Sequence, residues 1–141
     1  MDPISALGLS SNILTFIDAA SKILAGTYEV YQSATGTTQE NAHVDTVTEH
    51  LRDIAAKLDP NCVDKTAHGR ALKDIAQKCE TLAQDLLHLL LKLKITGKQS
   101  MWKSLTVTLK SMRKERVIAA MEKRLSEYQS LILLRLTMML K

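Results

Sequence analysis

Aromatic side chains make up only 4% of this chain, with one Phe, one Trp and three Tyr. That scarcity argues against a fold of packed strands, in which aromatic and β-branched residues concentrate. Five Gly and two Pro leave too little turn punctuation for a protein of many short strands. Two cysteines, Cys62 and Cys79, are too few for a disulfide framework, and neither has a second Cys at zinc-ligand spacing. Cys79 falls on an apolar helical stripe and reads as a small core residue, which fits a reducing, intracellular setting. Met1-Asp2-Pro3 lacks the basic start of a secretory signal.

Signatures of chemistry are missing as well. Gly97-Lys98 is followed by Gln99 rather than Ser or Thr, and Lys92 stands where a phosphate loop needs its first Gly. No Gly-x-Ser-x-Gly elbow offers a nucleophile. Of His43, His50, His68 and His88, none is four residues from another, so no helical His pair presents a metal site. His43 and His50, seven apart, share a helix side, which permits a metal without pointing to one. Asp53 and Asp74 sit among polar residues, and nothing singles them out as acids or bases. The expectation is a protein that is not an enzyme, with no catalytic, cofactor-binding or metal residues and no cofactor.

What is present is helix. With 141 residues, 45% hydrophobic and 24% charged, the chain matches one domain spanning 1–141 and large enough to bury a core. Asp2-Pro3 is a helix start, Asp capping and Pro suiting the first helical position. Helical spacing of apolar residues then predicts a first helix from Ile4 to about Tyr31, with Gly26 bending or loosening it. Thr37 and Glu40 have the spacing of a capping box before a second helix striped by Val44, Val47, Leu51, Ile54 and Leu58. Asp59-Pro60-Asn61 stops it, and Asp64 is placed to cap a third helix. That helix is striped by Leu72, Ile75, Cys79, Leu82, Leu86, Leu89 and Leu93, and Leu87, Leu90 and Leu91 widen its far end. After Thr96-Gly97 comes a short helix with Trp102, Leu105, Leu109 and Met112. A last one carries Ile118, Met121, Leu125, Tyr128, Ile132 and Met139. Whether these two are one kinked helix is left open by the pattern. Short joints between such helices predict an all-α, antiparallel four- to five-helix bundle.

The net charge of +4 is unevenly spread: residues 1–40 carry −3, residues 41–96 balance, and residues 97–141 carry +7. A basic segment including Lys103, Lys110, Arg113, Lys114 and Arg116 reads as a solvated helix face, as a partner of the acidic N-terminal third of the same chain, or as a contact for anionic lipid. Nucleic acid is not expected, because stacking aromatics are lacking there: Trp102 and Tyr128 lie on the apolar stripe. The first helix is the most informative segment. Ile4 to Ala25 spans roughly 33 Å at ~1.5 Å per residue, close to the ~30 Å of a bilayer core. It holds only two charges, Asp18 and Lys22, spaced to pair. Ser5, Ser10, Ser11, Asn12, Thr15 and Ser21 make it too polar for a committed span. It reads as the central helix of the bundle, or as one that seeks lipid when released.

The opening Met-Asp-Pro-Ile-Ser-Ala-Leu-Gly-Leu, then Ser-Asn-Ile-Leu and Phe16-Ile17-Asp18, resembles the fungal N-terminal domain of STAND proteins, the HeLo-like family. Tyr28-Glu-Val-Tyr31, Glu40-Asn41, Val47-Thr48, Trp102-Lys-Ser-Leu, Leu109-Lys-Ser and Glu122-Lys-Arg-Leu125 continue the resemblance across nearly the whole chain. It implies an N-terminal signalling domain of an NLR-like immune receptor, placed ahead of a NACHT or similar module. It also implies self-association, contact with other domains of the receptor or a STAND partner, and cytoplasmic localisation. By the same resemblance, regulated cell death would follow from membrane targeting on activation. The membrane-inserting residues would be Ile4, Leu7, Leu9, Ile13, Phe16 and Ile17, with anionic lipid met by the basic segment. The alternative is a protein–protein adaptor without membrane activity.

Overall fold

The structure is a computed structural model and describes residues 3–29, 44–59, 66–97, 102–112 and 115–140. Five helices make up the fold among the described residues: α1 (Pro3–Ala25), α2 (Val44–Ala56), α3 (Ala67–Gly97), α4 (Trp102–Ser111) and α5 (Arg116–Met139). The all-α bundle expected from the spacing is the fold observed, with α4 and α5 as separate helices.

One boundary differs from expectation. The first helix stops at Ala25 instead of running to Tyr31, and Gly26 is the reason. Its φ of 74° turns the chain out of the helix. The Gly26 N–H donates to the Ile23 carbonyl (3.1 Å) and the Thr27 N–H to the Lys22 carbonyl (2.8 Å), giving the Ile23 and Lys22 carbonyls partners in a Schellman cap. A Cβ at Gly26 would also lie 2.9 Å from the Thr106 carbonyl oxygen and 2.9 Å from Lys110 Cγ, so the glycine lets α4 approach closely. At the start of α3 the Thr66 hydroxyl accepts from the Gly69 N–H at 3.0 Å, and its carbonyl from the Arg70 N–H. Asp64 and the Thr37/Glu40 capping box lie outside the described residues.

Polar bridges reveal the directions of the helices. Asn12 Nδ2, near the middle of α1, donates to the Lys57 carbonyl (3.2 Å) just past the end of α2, and Tyr28 meets His50 beyond the end of α1, so α1 and α2 are antiparallel. Lys94 pairs with Asp45, making α2 and α3 antiparallel. Arg124 pairs with Asp85 (3.0 Å) and Arg135 meets His68 (3.2 Å), making α3 and α5 antiparallel. One end of the bundle therefore gathers the start of α1, the end of α2, the start of α3 and the end of α5. The other gathers α4 and the opposite termini.

The helix α1 packs against all four others and is the centre of the fold. It places Ile13, Phe16, Ile23 and Leu24 in a core completed by Leu51, Leu72, Leu82, Leu86, Leu105, Leu109, Leu125 and Ile132. The one buried polar residue among those described, Ser10, donates its hydroxyl to the Ala6 carbonyl at 2.8 Å and leaves nothing unsatisfied.

Candidate interaction surfaces

The residues marked out by the first-helix reading do not form one surface. Leu9, Ile13, Phe16 and Ile17 are buried in the core, while Leu7 is 42% exposed at the helix's outer side. The side chain of Ile4 lies outside the described residues. None of the described helices is long and apolar enough to cross a membrane. The two charges of α1 pair as their spacing predicts, Lys22 Nζ lying 3.1 Å from Asp18. Both are more than half exposed, so the pair contributes little to stability.

The basic segment is placed only in part. Lys103, Lys110 and Arg116 are exposed, and Arg113 and Lys114 lie outside the described residues. Lys103 and Lys110, seven residues apart, share a side of α4. Arg116 occupies the first turn of α5, the helix end at which the backbone dipole disfavours a cation. Trp102 and Tyr128, assigned to the apolar stripe, are buried. The Trp102 indole donates to the Tyr28 carbonyl at 2.8 Å, and the Tyr128 hydroxyl accepts from Arg124 Nε at 3.3 Å. The Tyr128 hydroxyl, with the Asp85 carboxylate, holds the Arg124 guanidinium in its charged form.

The described histidines are scattered. His50 lies edge-on to Tyr28, with ring centroids 6.5 Å apart. His68 faces Arg135, and His88 stands exposed on α3. His43 and Cys62 lie outside the described residues. Among the described residues, no group of three His, Cys, Asp or Glu side chains converges to hold a metal ion. Asp74 pairs with Lys78 along its own helix at 3.1 Å. Burial pushes the Cys79 thiol up to about 12, so it is inert as a nucleophile near neutral pH.

Two features were not singled out in the sequence. The first is the end of α5. Leu131, Leu134 and Met138 are 41%, 59% and 49% exposed, and Leu133 and Leu140 are exposed beside them. Their spacing of i, i+3 and i+7 puts Leu131, Leu134 and Met138 on one side of the helix. Ile132, Leu136 and Met139 face the core from the other side. The signal was legible: Leu131-Ile-Leu-Leu-Arg-Leu-Thr-Met-Met-Leu140 holds more apolar residues than one core-facing stripe can bury.

The second feature is a cleft of about 830 Å³ at the opposite end of the bundle, between the latter half of α3, the end of α4 and the start of α5. Leu89, Leu93, Met112, Val117, Ile118 and Met121 form its apolar wall. Asp85, Lys92, Glu115 and Arg124 stand around them. Thr108 of α4, which packs on α1 and α2, and Met112 just past its end close the cleft on one side. Nothing in the sequence pattern alone announces such a gap.

These features define a helical packing domain whose distinctive surfaces are apolar. Its family is shown directly. The chain belongs to the SesA family, described as the N-terminal domain on NACHT NTPases and P-loop NTPases, whose model matches residues 11–131. The expected place ahead of a NACHT module agrees with that match; the narrower fungal, HeLo-like assignment is not part of it. No curated protein and no solved structure matches the chain.

Proposed function

We propose that this domain is the N-terminal signalling module of a NACHT-type receptor and acts by self-association of the folded bundle rather than by catalysis. The observation that carries the reading is the apolar surface left exposed at the end of α5 once the core is complete. Surface of that kind marks interaction sites in folded domains. The family supports a role beside an NTPase module. Sedimentation of the purified domain from micromolar to millimolar concentration tests the reading. An average mass that rises with concentration supports it, and a monomer throughout refutes it.

A second reading, membrane engagement through α1 in regulated cell death, is favoured by the chemistry of that helix. Its two charges pair with each other, and the Ser10 and Thr15 hydroxyls bond to its own carbonyls. Release is costly, however. Leu9, Ile13, Phe16, Ile17, Ile23 and Leu24 would leave the core, at ~1.5–3 kcal/mol each. That sum is on the order of the ~5–15 kcal/mol by which a whole domain is stable. Membrane engagement by α1 therefore means opening the bundle. Hydrogen exchange of α1 amides beside anionic vesicles, run with dye leakage, decides it. Lost protection together with leakage supports the membrane reading, and retained protection leaves the folded module as the active form.

A further inference from the structure

The helices are not held equally. α1 is enclosed, and α3 and α5 pack on each other as well as on α1. α4 packs on α1 and α2 through the side that carries Trp102, Leu105 and Leu109, and makes little contact with α3 and α5. Its outer side, with Lys103, Ser104, Val107 and Lys110, is exposed. On a further flank Thr108 faces the cleft.

The residues of α4 do little to keep it helical by themselves. Its ten residues fall below the ~12–15 at which even a favourable isolated helix is marginal. Thr106, Val107 and Thr108 put three β-branched residues in a row at its centre, each losing side-chain freedom in a helix. The Thr106 hydroxyl donates back to the Lys103 carbonyl at 2.6 Å, and the Ser111 hydroxyl to the Thr108 carbonyl at 2.7 Å. Such bonds compete with the helical ladder. Both charges of α4 are positive, so no ion pair supports it from within.

What fastens α4 is the short strap that follows α1. The Trp102 indole donates to the Tyr28 carbonyl at 2.8 Å, and the Tyr28 hydroxyl lies 3.4 Å from His50 Nδ1 of α2. Strap, α2 and α4 are thus tied at one residue. Gly26 sits against Thr106 and Lys110, where a Cβ would strike α4.

We propose that α4 is a latch: it detaches and unwinds as a unit while the other helices stay folded, and the Trp102–Tyr28 contact sets how often it does so. Segments that open apart from the whole are drawn from such weakly held parts of a fold. Opening bares the side of α1 and α2 that Trp102, Leu105 and Leu109 cover. Membrane engagement has to release α1, so the latch gives that route a first step short of full unfolding. For this use the proposal rests on the membrane reading; the opening itself does not.

Native-state hydrogen exchange on the whole chain tests the latch. Amides of residues 106–111 should exchange at least about tenfold faster than those around Leu82 and Leu86 in α3. Their exchange should also depend less on denaturant, because the opening exposes little surface. Trp102→Phe keeps an aromatic ring and loses the hydrogen bond, so it should quicken exchange in α4 about fivefold. Ile132→Val, in the half of α5 remote from α4, weakens the closed and latch-open forms alike. It should quicken exchange in α3 several-fold and leave that of α4 unchanged. If α4 shares the rate and denaturant dependence of α3, or Ile132→Val quickens both together, α4 opens only with the whole bundle and the latch is overturned. If α4 opens alone but Trp102→Phe does not quicken it, the Trp102–Tyr28 contact is overturned as its control. No vesicles are present, so either result stands apart from the membrane reading, which the leakage experiment decides.

Discussion

The first helix and the last two turns of α5 are both rich in apolar residues, yet they are used in opposite ways. Contact with all four other helices consumes the apolar surface of α1, leaving Leu7 as its exposed large side chain among those described. The end of α5 turns Ile132 inward and leaves Leu131, Leu133, Leu134, Met138 and Leu140 exposed. Apolar content thus identifies neither a membrane element nor a docking surface. What separates the two is how many neighbours the tertiary structure supplies, since a helix surrounded on every side hides residues that one at the edge must expose.

That contrast breaks most visibly at Phe16. Phe16→Ala should cost about 3–5 kcal/mol in chemical denaturation, because the ring is fully buried where α1 meets its neighbours. A loss below 1 kcal/mol, on the order of a surface change, would mean that α1 is not the centre of the fold. Gly26→Ala should follow at about 2 kcal/mol or more. A positive φ costs an L-residue ~1–2 kcal/mol, and the methyl group would also strike the Thr106 carbonyl. Thr66→Ala should remove about 1 kcal/mol by freeing the Gly69 N–H. Leu134→Asp should move stability by no more than about 0.5 kcal/mol, which is the counterpart of the Phe16 result at an equally apolar position.

Cys79 sharpens the same comparison through pH. Its thiol, ordinarily at 9.0, is pushed up to about 12 by burial, so the folded chain keeps the proton while the unfolded chain loses it. Stability from this group is complete below pH 9 and falls as pH rises from 9 to about 12, by at most ~1.4 kcal/mol per pH unit. Cys79→Ala should flatten that part of a denaturation–pH profile. An unchanged slope would place the thiol in contact with water.

Much of the fold was readable before the structure. The apolar stripes of α2 and α3, Val44, Val47 and Leu51 in one and Leu72, Ile75, Cys79 and Leu82 in the other, are the residues found buried. Trp102 and Tyr128 were likewise assigned to the core on spacing alone. The end of α1 is not legible in the spacing because an apolar pattern runs on through Tyr28 and Tyr31, while the φ of Gly26 decides the exit. The surface features were readable by halves: the crowding of apolar residues after Ser130 stands in the sequence, whereas the cleft does not.

The sequence by itself determined that this chain is helical, where its helices carry their apolar faces, and that its last third is basic. Those properties follow from local spacing and residue chemistry. Only the tertiary structure decided that α1 is enclosed, that α4 leans on α1 and α2, and that an apolar cleft opens beside α5. Enclosure and gaps depend on which helices become neighbours, and a linear pattern records the face of each helix without recording what stands opposite it.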